Sequence, residues 1–246
     1  MGATVCATVA GDPDLELVAA VDPGATGSTV EGLTIAGEPR AFVDAGAEVV
    51  VDFTVASAAR TTVPWLAMHG IHAIVGTTGL TDEDLELFRS EFSDEVGGPH
   101  CVVAANFAIS AVLMMRFAEI AAPFFDTAEV IELHHDAKAD APSGTAMATV
   151  ARMAAASADW ADDPTTHEVV AGARGGSGPG GIHIHSVRMR GMVAHQEVIL
   201  GAAGQTLTVR QDSYDRASFM PGVVLACKRI GDHPGLTVGL EALLGL

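Results

Sequence analysis

The sequence is poor in cysteine, positive charge and aromatic rings. Its three cysteines, Cys6, Cys101 and Cys227, are odd in number and far apart. They make neither a disulfide framework nor a metal-ligand spacing, which suits a reducing cytoplasm, and no metal site is expected. Lys and Arg total 13 against 31 Asp and Glu, a formal net charge of −18. That balance excludes a broad basic face for nucleic acid and docking on an anionic membrane. An anionic ligand must be held by local groups, because the overall field repels it. No basic residue precedes Arg40, so the apolar start lacks the charged region of a signal peptide. Cys6 stands where a myristoylation start carries Ser or Thr. No uncharged apolar run is long enough to cross a bilayer. The richest, 108–125, contains Arg116 and Glu119 and reads as a buried helix.

What is present is 49% apolar residues over 246 positions, enough for a real core. The first half alternates short β-rich runs with helical patterns. Residues 15–21 read as a strand ending at Asp22, and 48–53 as a second, whose valines suit burial on both faces. A helix over 56–68 stops at Gly70. A third strand, 71–75, runs into Gly76-Thr77-Thr78-Gly79. Thr81 then caps an acidic helix whose first turn holds Asp82, Glu83 and Asp84. A fourth strand, 100–104, ends in Ala105-Asn106-Phe107. Such alternation predicts βαβ units in a parallel sheet, with ligands at the carboxyl ends of the strands.

The second half reads differently. A strand at 128–134 precedes a helix over 143–158, and a polar, glycine-rich loop spans 159–181. Three consecutive strands follow, near 182–190, 195–201 and 206–212, implying an antiparallel or mixed sheet. The tail is apolar, with a helix near 222–230.

The chemistry concentrates between Glu129 and Ala146. A strand delivers His134 and His135 to its end, and Lys138, one of two lysines, follows. Pro142 leads into a Ser143-Gly144-Thr145 helix start. A helix N-terminus binds a carboxylate through free N–H groups, and glycine allows close approach. Lys138 adds a point charge and a proton donor, and histidine exchanges protons near neutral pH. Taken singly, each part has an ordinary structural use; together they suit a small anionic substrate undergoing proton transfer. His183 and His185 share one strand face with no Cys or carboxylate at ligand spacing, so packing or an interface is expected of them. Arg188 and Arg190 share a face too, and either neutralise a substrate carboxylate or pair with acids.

This segment matches, from Glu129 to Ala146, the signature Glu-Val-x-Glu-x-His-x-x-x-Lys-x-Asp-x-Pro-Ser-Gly-Thr-Ala. The chain thereby resembles the dihydrodipicolinate reductase (4-hydroxy-tetrahydrodipicolinate reductase) family, in its actinobacterial style. The likeness extends to Val51-Asp52-Phe53-Thr54, Gly76-Thr77-Thr78-Gly79, Ala104-Ala105-Asn106-Phe107 and Val193 to Glu197. The resemblance implies an α/β fold: a Rossmann-like parallel-sheet domain with its first strand missing, and a second α+β domain carrying a mixed sheet. Residues 1–106 and 217–246 would bind the dinucleotide; 107–216 would bind substrate and assemble a homotetramer. It implies His134 as proton donor and acceptor, Lys138 as a second proton donor, and His135, Gly144 and Thr145 on the substrate, the last two at a carboxylate. Asp22 would hold the adenosine ribose, as a strand-end acid does. Gly76, Thr77, Thr78, Ala104, Ala105, Asn106 and Phe107 would line the nicotinamide site. The implied reaction takes hydride from NADH or NADPH and reduces (2S,4S)-4-hydroxy-tetrahydrodipicolinate to tetrahydrodipicolinate with loss of water, in lysine and diaminopimelate biosynthesis.

Three departures stand out. The family's first strand and Gly-x-x-Gly-x-x-Gly loop do not appear; Met1-Gly2 matches only the loop's last two positions. A start assigned at an internal Met is the expected cause, with weak NADH binding or poor folding as the consequence. Pro23 follows Asp22 where an Arg would grip a 2′-phosphate, which leans towards NADH. Ala137 replaces a basic residue at a non-catalytic position. The rival readings are another nucleotide-dependent amino-acid dehydrogenase and a catalytically silent binding or scaffold chain.

Overall fold

A computed structural model describes residues 1–92 and 97–246. The chain divides into two compact units, 1–109 with 216–246, and 110–215.

The first unit opens with α1 (Gly2–Gly11), which the sequence pattern does not announce. A two-residue hairpin joins β1 (Thr29–Val30) to β2 (Leu33–Thr34). Glu31 and Gly32 both have positive φ there (45° and 81°), which a primed hairpin turn requires. Then come α2 (Arg40–Asp44), β3 (Val49–Asp52), α3 (Ala56–Met68), β4 (His72–Val75), α4 (Asp82–Glu91) and β5 (Cys101–Val103). In α4 the expected cap is a full capping box: Thr81 Oγ1 accepts from Asp84 N–H while Asp84 accepts from Thr81 N–H.

The second unit holds α5 (Ile109–Ala121) with a 3₁₀ turn at Ala122–Phe124, then β6 (Thr127–His134), α6 (Gly144–Ala156), β7 (Gly176–Ser177), β8 (His183–Arg188), β9 (Ala194–Ala202) and β10 (Gln205–Ser213). The chain returns to the first unit through α7 (Met220–Arg229), β11 (Leu236–Val238) and α8 (Glu241–Leu244).

The first unit's main sheet is parallel throughout, in the order β11-β5-β4-β3. β5 is buried along its whole length and β4 over three of four residues, so these runs are continuously apolar. Val63, Leu66, Phe88, Ala73, Val75 and Cys101 pack around them. The second unit's sheet is mixed, in the order β10-β9-β6-β8-β7, with β6 and β8 parallel and the other pairs antiparallel. β6 is thus its central strand. The α/β class with one parallel and one mixed sheet is as the sequence predicts.

Two expectations are corrected. Residues 15–21 form no strand: the segment is extended, but only Val21 makes an isolated parallel bridge, to Ala36. Strandhood requires a neighbour's ladder, and β3, whose backbone pairs with β4, is among the described residues an edge of the parallel sheet that does not reach this segment. The helix in 108–125 is buried on one face only. Val112, Met114, Met115 and Ala118 are covered, whereas Phe117 and Ile120 are about half exposed at 49% and 52%.

Candidate active site

In the first unit, the predicted nucleotide residues other than Asp22 sit at the carboxyl ends of adjacent strands; Asp22, expected at a strand end, follows no strand. Gly76, Thr77 and Thr78 follow β4, and Ala104 to Phe107 follow β5; Gly76 N–H donates to Asp52 O (2.8 Å) and Ala104 N–H to Val75 O (3.0 Å). Asp52, within the match at 51–54, is assigned no role by the sequence. It is buried, and its Oδ1 accepts from Thr54 N–H (2.8 Å), Thr54 Oγ1 (2.6 Å) and Thr77 Oγ1 (3.0 Å), tying the ends of β3 and β4 together. Gly76 is glycine for a local reason: a Cβ there would lie 2.2 Å from the Phe53 ring. Phe53 in turn packs on Phe107, centroids 5.5 Å apart. Thr78 and Ala105 remain exposed, and Asn106 Oδ1 accepts from Ala108 N–H (2.9 Å). Asp22 is exposed beyond the Val21 bridge, one carboxylate oxygen accepting from Gly24 N–H (2.8 Å). Thr77, Ala104 and Phe107 are buried, so the surface that these turns offer at the carboxyl edge of the parallel sheet, where a dinucleotide fits, is made by Thr78 and Ala105 with half-buried Gly76 and Asn106.

In the second unit, one buried carboxylate organises the predicted chemistry. Glu132 and His134 are two apart on β6 and so share a face. Glu132 is fully buried. Its Oε2 accepts a short hydrogen bond from His134 Nδ1 and another from Arg188 Nη1 (2.8 Å); its Oε1 accepts from Arg188 Nη2 (2.8 Å) and Ser143 N–H (3.2 Å). Arg188 lies directly across from His134 in the parallel β6–β8 register. Of the two uses left open for Arg188, the structure shows pairing with an acid; Arg190 likewise pairs with Asp136, at 3.0 Å. The sequence cue for the Glu132 cluster was the Glu-x-His parity on one strand.

Burial pushes the Glu132 carboxyl upward, but the donors from Arg188, Ser186 and His134 outweigh it and hold the group below its usual range. Burial lowers the His134 pKa, helped by the charges of Lys138 and Arg188; Glu132 opposes that shift without cancelling it. Lys138 Nζ donates to both oxygens of Asp140, at 2.8 and 2.9 Å, in a pair whose carboxylate side is exposed. His135 is exposed.

Ser143 caps α6, its Oγ accepting from Ala146 N–H (3.2 Å). Gly144 is exposed, and a Cβ there would meet nothing, so internal packing does not demand glycine. Behind it, Gln196 Nε2 donates to Thr149 Oγ1, which donates to Thr145 O, both at 2.8 Å. His183 and His185 face Asp163 (3.2 Å) and Glu129 (2.7 Å) respectively.

Two family models span nearly the whole chain: dihydrodipicolinate reductase N-terminus over residues 1–107 and C-terminus over 110–244. The chain belongs to the dihydrodipicolinate reductase family. A 4-hydroxy-tetrahydrodipicolinate reductase from Corynebacterium urealyticum is 51% identical over 100% of this chain and 95% of that protein. One from Cutibacterium acnes is 48% identical over the same shares. The solved dipicolinate-bound dihydrodipicolinate reductase from Paenisporosarcina sp. TG-14 is 36% identical, superposes with a TM-score of 0.87, and covers 97% of this chain and 93% of its own. An amine dehydrogenase from Mycobacterium smegmatis shares the fold alone, at 12% identity and a TM-score of 0.55. Membership of this reductase family makes the chain an oxidoreductase with a nucleotide-binding N-terminal domain.

Proposed function

We propose that the chain reduces 4-hydroxy-tetrahydrodipicolinate, a small cyclic dicarboxylate, with NADH or NADPH as hydride donor. The observation that carries this reading is the shared carboxylate: His134 Nδ1 and the N-terminal backbone of α6 at Ser143 both bond to Glu132. A proton-bearing imidazole and a carboxylate-binding helix start therefore lie within reach of one small molecule.

In this reading Gly144 and Thr145 bind a substrate carboxylate through backbone N–H groups, the open side of Gly144 allowing contact. His135, exposed beside His134, binds the same substrate. Lys138 exchanges its exposed partner Asp140 for substrate, and because water screens such a surface pair the exchange costs little. His134 holds the proton delivered to substrate, with Lys138 as second donor. Gly76, Thr77, Thr78 and Ala104 to Phe107, following β4 and β5, would hold a nicotinamide, which would supply the hydride, and Asp22 would hold the adenosine ribose. Pro23 after Asp22 favours NADH. The reading includes a homotetrameric enzyme in the cytoplasm, with light scattering in solution as the check on assembly.

A coupled assay with freshly made synthase product tests the activity. Nucleotide oxidation dependent on that product is the expected result; none with either nucleotide defeats the reading. His134→Gln and Lys138→Ala are each expected to lower kcat about 100-fold or more, with far smaller changes in KM. A near-normal kcat removes the role of the residue concerned.

A further inference from the structure

Glu132 has a place in this structure that packing does not explain. It occupies the central strand of a sheet, with no exposed surface, where an apolar side chain ordinarily sits. A buried ion pair is often no more stabilising than a hydrophobic replacement of the same volume. Arg188 alone accounts for the neutralisation of its charge. It does not account for why one oxygen turns to a histidine ring at the strand end.

We infer that Glu132 is a positioning residue, which fixes the His134 ring and its tautomer so that the proton leaves from Nε2. The inference rests on the reading of His134 as the proton donor. A carboxylate is an acceptor only, so the nitrogen facing it must carry hydrogen. Nδ1 therefore keeps its N–H in both protonation states, and Nε2 alone gains and loses a proton. When the imidazolium gives its proton to substrate, the Nε2–H bond breaks and its electron pair stays on Nε2. The neutral ring that remains is the Nδ1–H tautomer, still bonded to Glu132. Arg188 and Ser143 N–H hold the other lone pairs of Glu132, so the carboxylate cannot turn away from the ring.

The same contact bears on charge. The groups around His134 are Glu132 on its own strand, Arg188 on β8, and Lys138 on the following loop, itself paired with Asp140. Two cations and burial oppose ring protonation, and among the described residues Glu132 is the one anion that this ring contacts directly. Neutralising it must make the imidazolium harder to form.

The test compares wild type, Glu132→Gln, His134→Gln and the double variant. In Glu132→Gln, kcat is expected to fall about tenfold or more, with KM within about twofold. The basic limb of its kcat–pH profile should move about one unit or more to lower pH. In the His134→Gln background the same change should cost no further kcat, because the ring it positions is gone. Nitrogen NMR of His134 in wild type should report the Nδ1–H tautomer for the neutral ring, a readout that stands even if the Glu132 variant folds poorly. An Nε2–H tautomer, an unmoved basic limb, or an equal loss in both backgrounds overturns the inference. If instead His134→Gln itself keeps a near-normal kcat, it is the proton-donor reading that fails.

Discussion

At the scale of single residues, Glu132 and Arg188 show how a side chain is set by partners distant in sequence. Removing the guanidinium takes away both Arg188 hydrogen bonds from a carboxylate with no exposed surface. Arg188→Met is therefore expected to destabilise the protein by about 3 kcal/mol or more, since breaking a buried pair strands the surviving charge. Denaturant unfolding checks this; an unchanged midpoint would mean that water reaches Glu132 freely. This pair was not legible in the sequence. Arg188 left two uses open because its partner is 56 positions away, and strand register, not spacing, brings them together. The Ser143 cap was legible because capping is local: the side chain and the N–H it receives are three residues apart.

At the scale of elements, locality again separates what can be read from what cannot. The bounds of α3 follow from its own residues, with Gly70 (φ 71°) just beyond the helix as the stop. Residues 15–21 are mostly apolar but β-prone only at Val18 and Val21, and a strand is a relation between two segments, of which only Val21 has found its partner. The reverse error concerns α1, where valine, threonine and glycine argue weakly for a helix that nevertheless forms, buried only at Val5. Close approach between elements is equally silent in sequence. Gly222 on α7 lies so near Phe107 that a Cβ would fall 2.1 Å from its carbonyl oxygen and 3.0 Å from a Leu240 methyl. Backbone cannot yield as a side-chain tip can. Gly222→Ala should cost about 3 kcal/mol and, on the reading that Phe107 lines the nicotinamide site, should raise KM for the nucleotide. Wild-type thermal stability and KM would show that the helix shifts without strain.

At the scale of the whole molecule, charge sets the response to acid. Glu129, Glu132, Asp84 and Asp212 are all held below the usual carboxylate range. Such groups stabilise the fold above their unfolded pKa, and that contribution is lost as pH falls through their folded values. His72 and His134 are also depressed, burial being the main cause in each. The unfolded chain therefore takes up protons near pH ~6.5 that these two rings refuse when folded. Tm should be level above pH ~7, decline first as pH falls through ~6.5, and decline again below ~4. A Tm constant down to pH ~3 would contradict the paired carboxylates. The −18 charge, which by itself says only that broad anion attraction is excluded, becomes in the structure a set of local pairs that acid dismantles. One topological feature bears on how the chain is made. β5 gains its second neighbour only when β11 pairs with it, Leu236 opposite Cys101. The whole of 110–215 is translated in between. At about 5–20 residues per second, β5 waits on the ribosome with an open edge for roughly 7–27 s. By the end of that time the second unit has all its strands, whereas β5 still lacks β11. Slower translation of 110–215 is expected to lengthen the exposure of that edge, and with it the nascent first unit's tendency to aggregate.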